Sequence, residues 1–303
     1  MSIAKPQSLS LVDTITAGYR AINRRPWAML IPAGVSAYLW VGSPFLISTF
    51  GRLGSSVRMA IDLLGDTPQA RQDLASRLLG GDVRLSLAWL NLVPVLAPPT
   101  LPHSAIMLRG PFQLLGAFAL INALSLLWSS LFLTLLGVAV RGERFAPWLA
   151  VQRTIQLVTN LSIALLAILG MATVIAIPLV AISALLIACI PAASLPVVLA
   201  WYIACFWAYV YAGFMPEAIL ISHSGPLRSL RNSVNVVRHN LMGALGLLLL
   251  RLLIVSGLSV VWHQLAFSPL GVAIAIFGSA YVGSGLSAAR LEFYRDQITR
   301  WGY

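Results

Sequence analysis

Long stretches without charge alternate along the chain with short basic segments. No Asp, Glu, Lys or Arg occurs in Trp27–Phe50, Gly110–Val140 or Thr154–Pro216, and Arg251 is the one charged residue in Leu241–Ala289. A helix needs about 20 mostly apolar residues to cross the hydrocarbon core of a bilayer, so the first two runs hold one span each. Thr154–Pro216 is long enough for two and divides at Cys189-Ile190-Pro191 through Pro196. Leu241–Ala289 divides between Trp262 and Pro269. The pattern predicts spans near 27–50, 112–140, 161–189, 197–221, 241–262 and 268–289. A β-barrel would need alternating strands of about ten residues, which these runs are not. The expected fold is all-α, a polytopic transmembrane helical bundle of about six spans, with 1–303 as a single transmembrane domain.

Composition agrees with this picture. Charged residues make up 10% of the chain and hydrophobic ones 59%, with a mean hydropathy of +0.87. Soluble domains carry about 25% charged residues, so most of this surface cannot face water. The first apolar run begins only at Trp27 and is too long for the core of a cleavable signal peptide. Cys189 and Cys205, the only cysteines, fall inside or at the end of spans and read as packed free thiols.

The net charge of +11 is unevenly placed. Segments 1–26, 141–160, 222–240 and 290–303 fall on one side of the predicted topology. They carry Lys5, Arg20, Arg24, Arg25, Arg141, Arg144, Arg153, Arg228, Arg231, Arg238, Arg290, Arg295 and Arg300. The two short opposite turns carry no Lys or Arg, and the long opposite loop, about 51–109, balances six Arg against Asp62, Asp66, Asp73 and Asp82. This is the positive-inside pattern, which predicts cytoplasmic N- and C-termini in a bacterial cytoplasmic membrane. The basic side is expected to lie over anionic lipid headgroups. No nucleic-acid recognition motif accompanies the charge, so nucleic acid is not an expected partner.

Each odd-numbered span is preceded by an amphipathic segment. Apolar residues fall at Val12, Ile15, Tyr19 and Ile22, at Trp148, Val151, Ile155 and Val158, and at Leu227, Leu230, Val234 and Val237. The shared 3-4-3 spacing is the stripe of a one-sided helix, suited to the membrane interface. With offsets of 136 and 79, Pro147 falls on Pro226, and the helix breakers Gly42, Pro178 and Gly257 coincide. The expectation is three parallel repeats of interfacial helix plus helical hairpin, about 9–140, 146–224 and 225–303. The first is enlarged by an extracytoplasmic loop insertion at about 51–109. Within it, 55–65 and 68–79 are expected to form short helices, with Asp66-Thr67-Pro68 as a cap. Val83–Ala97 is apolar enough to dip into the interface, and Pro94, Pro98, Pro99 and Pro102 keep the return extended.

The segment Gly225-Pro226-Leu227-Arg228-Ser229-Leu230-Arg231-Asn232-Ser233 through Arg238-His239-Asn240 resembles the basic segment before the fifth span in a broad group of bacterial six-span proteins. That group includes the membrane domain found with some glycerophosphodiester phosphodiesterases and related uncharacterised families. The resemblance implies a helical bundle in the cytoplasmic membrane. It supplies no activity, because this sequence has no attached phosphodiesterase domain.

Catalytic chemistry is hard to find. His103, His223, His239 and His263 lack the spacing that puts two metal ligands on one helical face. There is no phosphate-cradling P-loop, no nucleophile elbow and no acidic pair within a span, so neither an enzyme, a metal nor a cofactor is expected. Two intramembrane charges form the candidate polar site. Arg251 lies about 15 Å along its span from Leu241, near the bilayer centre, where burial in the bundle or in a wet cavity is expected. Glu217, about one turn inside the cytoplasmic end of span four, is its expected partner. Carbonyls freed by Pro178 or Pro216 are the other candidates. Asn122 and Asn160 read as inter-helix hydrogen bonders. Gly271, Ala275, Ser279, Gly283 and Ser287 recur every four residues, a small-residue packing stripe that serves either intramolecular packing or a homodimer.

These readings lead to a non-enzymatic membrane protein, a scaffold or an accessory subunit of a membrane complex. The alternative is a transporter or lipid-handling protein with a site near Arg251. A polar cavity around Arg251 lined by Gly42, Pro178 and Gly257 would favour the second; a packed interior would favour the first.

Overall fold

The computed structural model describes residues 10–47, 82–85, 92–98, 105–222 and 224–301, with scattered positions between 55 and 72. Among the described residues the chain is all-α apart from one short strand pair. Its helices are α1 (Leu11–Arg24), α2 (Leu30–Val41), α3 (Pro111–Arg141), α4 (Pro147–Cys189), α5 (Ser194–Ala212), α6 (Met215–Ser222), α7 (Pro226–His239), α8 (Leu241–Leu265) and α9 (Pro269–Trp301). Five helical stretches are long and apolar enough to cross a membrane: Pro111–Arg141, Pro147–Cys189, Ser194–Ser222, Leu241–Leu265 and Pro269–Arg300. These are the expected spans two to six.

Local sequence explains most boundaries. Ser10 and Asp13 form a reciprocal cap on α1, the Ser10 hydroxyl accepting from Asp13 N (3.1 Å) and Asp13 Oδ2 accepting from Ser10 N (3.3 Å). Pro147 and Pro226 sit in the first turn of α4 and α7, where the missing N–H costs nothing. Asn240 and Ser268 cap α8 and α9 by accepting from Gly243 N and Gly271 N. Between α4 and α5 the chain turns through Pro191–Ala193, within the expected break.

The first expected span differs. It is helical only over Pro26–Val41, a stretch shorter than the five others, and leaves helical geometry at Gly42. Pro44 has no N–H to donate back and disfavours helix in Ser43. The following Phe45–Ile47 (β1) instead pairs in parallel with Ile106–Leu108 (β2), Phe45 opposite Ile106. Within the helices expected at 55–65 and 68–79, the described residues Ser55, Arg58, Met59, Ile61, Pro68, Gln69, Arg71 and Gln72 are helical, while the Asp66-Thr67 cap, Asp62, Asp73, Pro99 and Pro102 lie outside the described residues.

The chain forms two compact units. The first comprises residues 1–24, 133–253 and 285–303. Its core holds Val210, Phe214 and Ala218, with Val236, Val237, Leu247, Phe293 and Tyr294. Residues Gly285–Leu291 of α9 are buried without a break, so this helix is covered on every side. Gly18 of α1 makes the closest helix contact: a Cβ there would lie 2.5 Å from Ala289 N and 2.6 Å from Gly285 O.

The amphipathic segments pack differently from the expected stripe. Val12, Trp148 and Leu227 are 72%, 79% and 77% exposed, and Val151 and Ile155 are exposed as well. Of the expected stripe, Ile22 and Val237 are fully buried; the other buried positions are Thr14, Gly18 and Ala21 of α1, Ala150, Thr154 and Leu157 of α4, and Ser229, Ser233 and Val236 of α7. Small residues win these faces because close helix packing depends on backbone approach more than on apolar bulk. The offsets of 136 and 79 carry each buried position onto the next. The second segment is also not a separate in-plane helix, since it continues unbroken into the 43-residue α4.

The second unit comprises residues 25–132 and 254–284. Here Val83–Leu85 forms a 3-10 turn, and residues 92–98 are irregular. This irregular stretch is tied at several points. Leu96 donates its N–H to Ser36 Oγ (3.0 Å) and its carbonyl accepts from Trp40 Nε1 (3.0 Å). His263 Nε2 meets the Ala97 carbonyl at 2.9 Å, and Pro94 packs directly on Gly283, where a side chain has no room. Irregular backbone among apolar helices is tolerated where its polar groups are satisfied in this way.

Candidate functional site

The site begins with a proline. Pro216 cannot donate to the carbonyl four residues back, and its ring crowds that turn. The expected span 197–221 is accordingly interrupted at Gly213 and Phe214, between α5 and α6. Side chains from two other helices take up the freed groups. Ser233 of α7 donates to the Tyr211 carbonyl (2.6 Å) and accepts from Phe214 N (3.1 Å). Arg290 of α9 donates to the Gly213 carbonyl.

The same Arg290 pairs with Glu217, Nη2 to Oε1 at 2.8 Å, with both side chains nearly fully buried. Its guanidinium also lies 5.3 Å from the centre of the Phe214 ring, within cation–π range. Arg251 is buried too, at 6% exposure, and lies within electrostatic reach of Arg290, Tyr209 and Glu217. The expected burial of Arg251 is therefore present, but the direct partner of Glu217 is Arg290. The carbonyl freed near Pro216 likewise goes to Arg290. From the sequence, Arg290 falls among the basic residues of the expected cytoplasmic side, over anionic lipid headgroups. A buried arginine was not legible there, because α9 continues past its apolar run without any break in sequence pattern.

Three ionised groups, two cations and one anion, thus meet at the α5–α6 break. Desolvating them is costly, and the close pairing plus the carbonyl bond offset that cost. Glu217 Oε2 and Arg290 Nε make no hydrogen bond among the described residues.

The other predicted positions scatter. Pro178 sits within the continuous α4 on an exposed face, and Gly257 is exposed in α8 with open space around it. Gly42 is engaged elsewhere: its carbonyl accepts from Arg84 Nη1 (2.7 Å). Arg84, wholly buried, also donates to the Leu39 carbonyl (3.2 Å), and its Nη2 pairs with Asp82 at 2.9 Å. It thereby caps the C-terminal end of α2, where unsatisfied carbonyls and the helix dipole favour a cation. Nothing in its neighbourhood, Val83-Arg84-Leu85, signals this role.

Along the small-residue stripe, Gly271 packs on the Leu265 carbonyl and Gly283 on Pro94, while Ala275 and Ser287 are buried and Ser279 half-buried. Much of the stripe therefore faces its own chain. Asn122 donates to the Phe118 carbonyl of its own helix, not to another one. His239 Nδ1 meets the Asn235 carbonyl at 2.8 Å, and His103 and His223 lie outside the described residues. Cys189 and Cys205 are free and exposed rather than packed inside.

A second polar feature lies at the start of α7. Ser222, Ser224, Arg228, Arg231, Asn232 and Asn235 line a cavity of about 510 Å³. Its floor is fixed by the Ser222 hydroxyl, 3.0 Å from the Tyr294 hydroxyl, which Asn232 also contacts.

No family model, no curated protein and no solved structure matches this chain.

Proposed function

We propose that this is a non-enzymatic integral membrane protein of the bacterial cytoplasmic membrane, acting as a scaffold or accessory subunit, with both termini in the cytoplasm. One observation carries the reading. Only 6% of the most apolar window of α4, and 11% of that of Ser194–Ser222, is buried within the chain, against 61% for α3 and 56% for α9. The α4–α5 hairpin is held together by bonds such as Trp201 Nε1 to Ser183 Oγ (3.1 Å), yet it offers nearly all of its apolar surface outward. Lipid or the helices of a partner protein are the two surroundings in which such a hairpin is stable. The equivalent buried positions of α1, α4 and α7 support three parallel repeats, and the six-span topology follows if Pro26–Val41 and the strand after it complete the first crossing.

Photocrosslinkers placed in turn at Ile175, Ile177, Leu179 and Val180 in native membranes test the scaffold role. The expected result is a protein adduct of one discrete mass, formed from one helical face only. Adducts to lipid alone, equal at all four positions, would remove the scaffold reading.

A second reading is a solute- or lipid-handling protein. It is favoured by the burial of Arg251 within electrostatic reach of Arg290 and Glu217. The exposure of Pro178 and Gly257 weighs against it, because a breaker that lines a substrate site is expected to be covered.

A further inference from the structure

The cavity at the start of α7 has the chemistry of a phosphate receptor. Arg228, Arg231, Asn232 and Asn235 are spaced 3, 1 and 3 residues apart, so they share one helical face. The adjoining face of α7 is spent on packing through Ser229, Ser233 and Val236. Neither arginine is ion-paired among the described residues, and none of the residues lining the cavity is acidic. Glu217, the nearest buried carboxylate toward Tyr294, is already held by Arg290. Two guanidinium forks and two amides therefore line about 510 Å³ of open space, with Ser222 beside them and Ser224 donating to the Ala218 carbonyl, and no anion among the described residues of its lining.

We propose that this cavity binds a phosphate group, with Arg228 and Arg231 as the charged donors and Asn232, Asn235 and Ser222 completing the shell. Charge-assisted, forked donation to phosphate oxygens is the strongest interaction these side chains make. A phospholipid headgroup is the source the surroundings favour. Leu227, the residue before Arg228, is 77% exposed, and with Leu230, Met215 and Met171 it lines an apolar groove beside the same helix turn. That apolar cleft is only about 60 Å³, so it would touch the start of an acyl chain beside a headgroup in the cavity. The lipid source rests on the membrane reading above; the phosphate chemistry does not.

The test is thermal unfolding of the full chain in detergent, titrated separately with phosphatidylglycerol, phosphatidylcholine and inorganic phosphate. Phosphatidylglycerol is expected to raise the midpoint saturably and phosphatidylcholine much less. Arg228→Gln with Arg231→Gln should shift half-saturation by roughly tenfold or more, whereas Arg238→Gln, on the same helix outside the cavity, should shift it by no more than about twofold. Asn235→Asp, which places a carboxylate in the cavity, should weaken binding in the same direction and serves if the double variant does not fold. An equal response to inorganic phosphate would assign the site to a soluble phosphate source. No saturable response to either anion, or an Arg238→Gln loss as large as that of the double variant, would overturn the proposal while leaving the membrane and scaffold readings intact.

Discussion

Arg290 of α9 bonds at once to the Glu217 carboxylate of α6 and to the Gly213 carbonyl just before it, so one guanidinium spans the break between α5 and α6. Leaving either partner alone in that interior exposes the other as an uncompensated charge. Arg290→Leu and Glu217→Leu are each expected to destabilise by about 3–5 kcal/mol. The double replacement should cost clearly less than the sum, and a double-mutant cycle on unfolding in detergent measures the coupling.

Arg251 stands outside that pair. Arg251→Leu leaves Glu217 and Arg290 bonded, so it should be milder than Arg290→Leu by at least roughly 2 kcal/mol in the same assay. Equal losses for the two variants would mean that Arg251 carries the pairing.

Gly18 is fixed by backbone contact rather than by conformation. Gly18→Val has no space beside Ala289 N and Gly285 O and should destabilise by about 1–3 kcal/mol or more. Gly257→Ala, in open surroundings, is the control and should leave the melting midpoint unchanged or slightly raised.

In the second unit, Arg84→Leu strands the Asp82 carboxylate and frees the carbonyls of Leu39 and Gly42. The expected cost is again about 3–5 kcal/mol. Its readout is faster proteolysis within 82–98 relative to the α4–α5 turn. Arg84→Lys should rescue only in part, because one ammonium cannot reproduce the fork.

The pH response of the Arg141–Glu143–Arg153 cluster follows from its carboxyl. Burial pushes the Glu143 carboxyl upward, but the hydrogen bond from Arg153 and the charges of Arg141 and Arg153 outweigh it, so it ends below its ordinary value. A depressed folded value means that the stabilisation is complete above the unfolded value, about 4.3, and is lost as pH falls through the folded one. Glu143→Gln should therefore reduce stability at neutral pH and flatten its decline below about pH 4. The effect is small, because the side chain is 35% exposed and such pairs contribute about 0–1 kcal/mol.

How far the sequence reached depended on which force set each feature. Charge-free runs revealed spans two to six, because lipid exposure is written in residue type alone. Pro147, Pro226 and the Cys189–Pro196 break placed helix ends, because their effects are local. The buried faces of α1, α4 and α7 were misread one position over. A stripe drawn through Trp148, Val151 and Ile155 follows hydrophobicity, whereas Thr14, Gly18 and Ser233 follow how closely helices approach. Arg290 and Arg84 were illegible for a related reason. Each acts on carbonyls far away in the chain, and backbone groups leave no mark in a sequence.

The unbroken run of α4 has a mechanical consequence. Its 43 residues make a rod of about 64 Å, roughly twice the thickness of a hydrocarbon core. Pro178, whose missing N–H leaves the Val174 carbonyl without its helical bond, is its one built-in pivot. The arm on the Trp148 side is far longer than the arm ending at Cys189, so a small angular change at the pivot becomes a sweep of several ångströms at Trp148. Whatever holds Trp148 thereby sets the tilt of the outward-facing hairpin.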